Sequence, residues 1–303
     1  MGHVAAIDIG TNTIRLLVAS RDGDDFRVVS RIRRITSMGK ALRSTGEIGE
    51  SEFHESIAAL RAFRDELDRL GVERYRACGT AGLRIAGNAD RFLAAATGVG
   101  INVEVISADE EARLAWSGML LGMGDRVRDV VLMDIGGGST EFTMGPEPGR
   151  SVSLPIGVVV TWGAFRPSDP LERWQVAAMK HYFTERIASG TASLPTRGIR
   201  RMVGTAGSFT TLAALDQRLK TYRPERVDGY AMNPESVRRW SERLCSLTEA
   251  ERLALPGMEK GRENYMVPGL LQVVAAIERF GIRELVISDK GLLEGIIEDL
   301  TAS

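Results

Sequence analysis

The apolar positions of this chain fall into short runs broken by glycine turns and into longer stretches with a three- and four-residue step. Residues 4–20, VAAIDIGTNTIRLLVAS, are an apolar run that breaks at Gly10 and resumes with β-branched and aliphatic residues. That pattern predicts two strands joined by a tight turn. Residues 130–145, VVLMDIGGGSTEFTMG, read the same way. In residues 51–71 the apolar Phe53, Ile57, Leu60, Phe63 and Leu67 keep helical spacing up to Gly71, which predicts a helix with one buried face. Residues 234–247 open with Pro234 and keep Val237, Trp240, Leu244 and Leu247 on one side, a second helix. Residues 267–281 predict a mostly buried helix, and 283–289 a short buried strand.

The order of these elements repeats. The two Asp-Ile-Gly triplets lie 134 − 8 = 126 residues apart, and the GTAG words at 79 and 204 lie 204 − 79 = 125 apart. Two different glycine turns recurring at nearly one offset indicate two copies of an α/β unit. Strands alternating with helices give the fold class, α/β in layers, with the cleft between two similar halves as the default ligand site.

Composition narrows the function. A chain of 303 residues, 44% hydrophobic and 26% charged, fits a globular protein of two domains. No apolar run approaches the roughly 20 residues of a membrane helix, and MGHVAAIDIG has no signal-peptide pattern. Cys78, Cys245 and three scattered histidines support neither a zinc site nor a disulfide framework, which fits a reducing cytoplasm. A net charge of −1 gives no overall attraction to nucleic acid or membranes. Residues 27–43 carry six basic side chains and no acid. They read either as a solvated strand face or as an approach path for an anionic substrate, and the basic stretches 197–201 and 218–226 read the same two ways.

The glycine turns bring in chemistry. Without side chains, successive backbone N–H groups form a concave anion site. Gly136, Gly137 and Gly138 would cradle phosphate oxygens, with Ser139 and Thr140 adding hydroxyls. In the first copy Gly10 is followed by the donors Thr11, Asn12 and Thr13, and the two GTAG turns, the second closing at Gly207, open helices toward an anion. Asp8 and Asp134 end the first strand of each copy; facing one another they suit Mg2+, or another divalent cation such as Mn2+, that keeps several waters and bridges phosphates. Each also fits an ordinary turn residue. Glu141 lies where it could hold a metal-bound water.

Ser107 and Glu110 make a capping-box pattern at the start of a helix over 107–120, which gives Glu110 a structural task. Glu111 has Leu114, Ala115 and Gly118 on its side of the helix. An inward carboxylate needs a purpose or a partner: it reads as the general base that activates water, or as one half of an arginine pair. Arg84, after the first GTAG turn, stands where a helix start disfavours a cation and so reads as a phosphate ligand. Lys290 is a weaker candidate of that kind, and both cysteines read as core residues.

These words together resemble the exopolyphosphatase and guanosine pentaphosphatase (Ppx/GppA) family of the actin, sugar-kinase and heat-shock ATPase superfamily. AAIDIGTNTIRLLVA is similar to its first phosphate motif, GTAGLRIAGNADRFL to its arginine turn and VISADEEARLAWSGML to its catalytic-glutamate helix. MDIGGGSTEF, MVGTAGSFTTLA, LPGMEKGRENYMVPGLLQ and ELVISDKGLLEG continue the likeness in order. The resemblance implies two ribonuclease-H-like (actin-like ATPase) domains, 1–124 and 125–292, with the active site in the cleft and a last helix, about 293–303, returning to the first. It implies Mg2+-dependent hydrolysis of a terminal phosphoanhydride without a phosphoenzyme. By position Glu111 would activate water, Asp8, Asp134 and Glu141 would organise the metal, and Asn12, Arg84, Gly136, Gly137, Gly138 and Ser139 would hold phosphates. Three departures stand out: the helical C-terminal region of longer members is missing, REN (262–264) replaces the usual Arg-Ala-Asp, and Leu293 replaces an arginine.

The substrate expected is inorganic polyphosphate, with shorter chains favoured, or guanosine pentaphosphate, whose terminal anhydride presents the same groups. A chain of this size and organisation is also compatible with a homodimer. A small-molecule kinase of the superfamily is the alternative enzyme, but Asp8-Ile-Gly-Thr-Asn12 lacks the second glycine its first motif often has. A non-catalytic phosphate or nucleotide sensor is the third reading, and it leaves Glu111 unexplained.

Overall fold

The computed structural model of the chain describes residues 2–22, 25–72, 74–121, 129–144 and 150–302. In chain order the elements are β1 (His3–Ile9), β2 (Thr13–Asp22), β3 (Asp25–Ile35), α1 (Leu42–Thr45), α2 (Glu50–Arg69), β4 (Arg74–Gly79), α3 (Ala81–Ile85), α4 (Ala89–Gly98), β5 (Val103–Val105) and α5 (Ala108–Leu120). There follow β6 (Val130–Ile135), β7 (Thr140–Met144), β8 (Arg150–Leu154), α6 (Val158–Phe165), α7 (Arg173–Gly190), β9 (Arg201–Thr205), α8 (Gly207–Asp216) and α9 (Pro224–Val227). The last are β10 (Tyr230–Met232), α10 (Pro234–Ser246), α11 (Glu249–Leu253), α12 (Met266–Phe280), β11 (Glu284–Ile287) and α13 (Leu292–Ala302). The chain divides into one unit of Met1–Leu121 with Gly291–Ser303 and another of Gly122–Lys290. The boundary expected at 124/125, like Gly145 at the end of the second repeat segment, lies outside the described residues.

In the first unit the sheet order is β3-β2-β1-β4-β5. β1 pairs antiparallel with β2 and parallel with β4. Strand alternation decides what each face of β1 meets. Ala5, Ile7 and Ile9 pack with Phe53, Leu60, Phe63 and Leu67 of α2. Val4 and Ala6 pack with Leu114 of α5 and with Leu292, Leu293, Ile296 and Ile297 of α13. A strand buried on both faces is apolar through its middle, which leaves polar side chains only toward its two ends, His3 and Asp8. Leu293 is a core residue here, so the departure from arginine at that position serves packing. The α2 face is as read, except that Ile57 is only half buried while Ser56 and Ala59 are covered.

Two glycines bring α5 and α13 together. A Cβ on Gly118 would lie 2.0 Å from the Gly291 carbonyl oxygen, and one on Gly295 would lie 1.8 Å from the Leu114 carbonyl oxygen. Those contacts are backbone against backbone, so only glycine fits at either position.

The second unit has the order β10-β11-β9-β6-β7-β8. Read from the other end, β8-β7-β6-β9-β11 repeats the first sheet, and β10 adds an antiparallel edge strand on β11. Its core gathers Val131, Met133 and Ile135 of β6, Met179, Phe183 and Ile187 of α7, and Leu270, Val273 and Ile277 of α12. Burying each of these large side chains stabilises the fold by about 1.5–3 kcal/mol. No helix among the described residues is long and apolar enough to cross a membrane.

Candidate active site

In the first unit the β1–β2 turn closes with Gly10 N–H donating to the Thr13 carbonyl at 3.1 Å. Asp8 at the end of β1 accepts from Arg15 Nε at 2.9 Å and Nη2 at 2.6 Å, an ion pair directly across the strand register. Thr11 is 2% exposed, and its hydroxyl is buried with no hydrogen-bond partner. Such a group costs about 1–3 kcal/mol unless something satisfies it. Thr11 packs on the first GTAG turn, where a Cβ on Gly82 would stand 3.2 Å from its Oγ1. The Asn12 carbonyl accepts from Thr36 and Ser37 N–H, both at 3.0 Å.

That same turn leads through α3 to Arg84. This arginine lies in the last turn of that short helix and not at its start, so the expected conflict with the helix dipole is absent. Arg84 Nη1 donates to Glu111 Oε2 at 2.7 Å and to the Ile106 carbonyl at 3.1 Å. The two side chains read separately from the sequence are therefore partners, with 21% and 14% of their side-chain surface exposed. Ser107 caps α5 through Glu110 N–H at 3.1 Å, but the expected capping box is only half made. The Glu110 carboxylate turns instead to Arg76 at 2.5 Å, where a charge-assisted bond outweighs a bond to a backbone N–H.

In the second unit the three glycines lie in the turn between β6 and β7, closed by Gly136 N–H to the Ser139 carbonyl at 2.9 Å. Their carbonyls all turn toward the start of α6. Gly138 O accepts from Gly157 N–H at 3.2 Å, Gly136 O from Val158 at 3.0 Å, and Gly137 O from Val159 and Val160 at 3.0 and 3.2 Å. The N–H groups of Gly137, Gly138 and Ser139 donate to no group among the described residues. A peptide turns its N–H away from its carbonyl, so the turn presents successive donors on the side opposite α6. Gly157 makes this docking possible, because a Cβ there would lie 2.4 Å from Gly137 C and O and from Gly138 C. Sequence reasoning missed Gly157; its only signal is a glycine directly ahead of the apolar run VVV. Buried Gln272 of α12 was missed as well. It accepts from the Thr140 hydroxyl at 2.6 Å and donates to the Ile156 carbonyl at 3.0 Å, tying the turn's exit to the approach to α6.

Asp134 and Glu141 are direct register partners across β6 and β7, so their side chains share one face. Glu141 is 4% exposed and accepts from the Ser153 hydroxyl at 2.7 Å. Thr205 lies beside Asp134 in the parallel register and donates to the Lys290 carbonyl at 2.7 Å. Beyond it, Ala206 has φ 67° and ψ −176°, and Gly207 opens α8. A Cβ on Gly207 would stand 1.7 Å from Arg262 Nη1. The guanidinium of the REN segment thus covers a helix start, where the dipole favours an anion rather than a cation.

Two arginines of the basic stretches are held by acids. Arg31 of the basic stretch pairs with Glu294 at 2.5 Å, and Arg201 pairs with Glu284 at 2.6 Å. Burial pushes the Cys78 thiol up to about 12 and the Cys245 thiol up to about 11, so neither supplies a thiolate at neutral pH. Among the described residues no three His, Cys, Asp or Glu side chains gather as a ready metal-ligand set.

Comparison with known proteins agrees along the whole chain. Residues 17–303 match the Ppx/GppA phosphatase family. The chain is 32% identical over 309 residues to exopolyphosphatase 2 of Mycobacterium tuberculosis, covering 97% of each protein. It superposes on a Ppx/GppA enzyme of Aquifex aeolicus with a TM-score of 0.83 and 30% identity, covering 98% of this chain and 99% of that one. An exopolyphosphatase from Cytophaga hutchinsonii gives 0.89 at 26% identity, over 99% and 98%. With its duplicated ribonuclease-H-like sheets and a match that leaves out little beyond the first strand, the chain belongs to the Ppx/GppA phosphatase family and is a hydrolase.

Proposed function

We propose that this hydrolase removes the terminal phosphate of inorganic polyphosphate, with Mg2+ or Mn2+ present, and favours short chains. The observation that carries the reading is the glycine turn over 136–139, whose carbonyls are taken up by the start of α6 while three successive N–H groups remain for phosphate oxygens. The buried, unsatisfied Thr11 hydroxyl supports it from the first unit, and Arg262 over Gly207 supports it as a third phosphate contact. Asn12 and Arg84 supply further donors.

The residues fit a divalent cation. Asp134 and Glu141 place two hard oxygen ligands on one sheet face, and Mg2+ needs only one or two carboxylates besides waters and phosphates. When bound, the ion would neutralise phosphate charge. Asp8, paired with Arg15, belongs to the same proposal as a ligand of metal-held water. The chain's own chemistry is a water oxygen attacking the terminal phosphorus while the anhydride P–O bond breaks. The shortened polyphosphate leaves, and Glu111 takes the proton of the attacking water. Such a base contributes about 10²–10⁴-fold.

The test is phosphate release from short polyphosphate, long polyphosphate and guanosine pentaphosphate side by side, with Glu111→Gln as control. Release from short chains that is lost in the control supports the proposal. Preference for guanosine pentaphosphate would reassign the substrate, and undiminished release in the control would remove Glu111 from the reaction.

A further inference from the structure

We infer that Arg84 is the positioning residue for Glu111 as well as a phosphate ligand, so that one guanidinium sets the base in register with the substrate. The inference rests on the reading of Glu111 as the base. Arg84 Nη1 carries two hydrogen bonds, to Glu111 Oε2 at 2.7 Å and to the Ile106 carbonyl at 3.1 Å. A planar guanidinium has five N–H donors, and one nitrogen supplies two of them. The other three, on Nε and Nη2, donate to no group among the described residues. They lie in the same plane, and two of them match the spacing of two phosphate oxygens.

The frame that holds the plane is rigid. Ile106 is fixed to the sheet by its own N–H to the Gly79 carbonyl at 3.0 Å, and the next residue, Ser107, caps the helix that carries Glu111. Both acceptors of Nη1 therefore belong to the segment that delivers the base. Glu110 offers the contrast: its partner Arg76 also binds Glu104 and Asp299, a closed network of acids. Arg84 binds a single carboxylate and keeps its outer edge for another anion.

A double-mutant cycle on the full chain with short polyphosphate and Mg2+ tests this. Arg84→Ala is expected to raise KM in the wild-type background and equally in the Glu111→Gln background. It is expected to lower kcat by about 10–10²-fold in the wild type, the scale of a misplaced catalytic group, and to leave kcat unchanged in Glu111→Gln. An equal loss of kcat in both backgrounds would mean that Arg84 acts on the phosphate alone and would overturn the inference. So would a rise in KM with kcat intact. Full turnover by Glu111→Gln itself would take down the base reading, a distinct result. Arg84→Lys, which keeps the charge without the fork, repeats the cycle should the alanine variant not fold, and thermal melting of each variant separates lost stability from lost turnover.

Discussion

Asp134 and Glu141 face one another across the β6–β7 pair, whereas the matching positions of the first unit, Asp8 and Arg15, hold an ion pair at 2.6 Å. Each residue lies 126 positions from its counterpart (134 − 8 and 141 − 15). Duplication has kept the hairpin and its first acid and reversed the charge opposite it. Like charges directly across a sheet cost about 0.2–1 kcal/mol, and opposite charges stabilise by a similar amount. The first hairpin thus sets an acid against a base, whereas the second sets two acids side by side.

Glu141→Gln tests that asymmetry. With chelator present the variant should melt no lower than the wild type, up to the roughly 1 kcal/mol of relieved repulsion. Mg2+ should raise the melting temperature of the wild type and do so much less for the variant, and half-maximal activity should need more Mg2+. Equal responses of the two proteins to Mg2+ would show that the cation is bound elsewhere.

Gly157→Ala should damage the glycine turn. Its Cβ would lie 2.4 Å from backbone atoms of Gly137 and Gly138, which no rotamer change can relieve. Overpacking of this kind costs about 1–3 kcal/mol. Urea unfolding should report that loss, and KM for polyphosphate should rise because the N–H groups of Gly137, Gly138 and Ser139 shift. A variant with native KM would place phosphate recognition away from this turn.

What the sequence made legible follows from how local each signal is. The strand–turn–strand words, the helical step of α2 and the cap at Ser107 are set by neighbouring residues, and all reappear in the structure. Side-chain partners come from distant segments. No local pattern shows that Arg84 meets Glu111, that Glu110 turns to Arg76, or that Gly157 and Gln272 support a turn far from them in sequence. The two GTAG words mark the limit most clearly. Ala81 begins α3 with an ordinary helical backbone, while Ala206, in the same word, has φ 67° and ψ −176°.

Ala206→Gly should therefore stabilise the protein. That backbone region is open essentially to glycine alone, and holding another residue there costs about 1–3 kcal/mol. The added freedom of glycine in the unfolded chain takes back about 0.4–1 kcal/mol. A net gain of about 1 kcal/mol in urea unfolding is expected. A loss would mean that the methyl group makes packing contacts worth more than the strain.

Acid should weaken the tie between β3 and α2. Glu66 accepts from Arg69 at 2.7 and 2.9 Å and from the Ser30 hydroxyl at 2.7 Å. Arg69 first, then Ser30, holds its carboxyl down at about 2 against an ordinary 4.5. A folded value below the unfolded one means that this stability is present above about pH 4.5 and disappears as the pH falls toward 2. Melting of Glu66→Gln should fall less steeply than the wild type across that window; parallel curves would show that the pair adds nothing.

Gly295→Ala opposes two effects of known size. Inside a helix, alanine is favoured over glycine by up to about 1 kcal/mol. Here the new Cβ would lie 1.8 Å from the Leu114 carbonyl oxygen and force α13 from α5. Separating two packed helices costs about 1–3 kcal/mol or more, so the net change should be destabilising. Gly163→Ala, where a Cβ meets nothing within 4 Å, supplies the control and should be neutral or stabilising. Because α5 carries Glu111, kcat of Gly295→Ala should also fall at temperatures where the variant is fully folded. A stability loss with native kcat would show that α5 holds its position without α13.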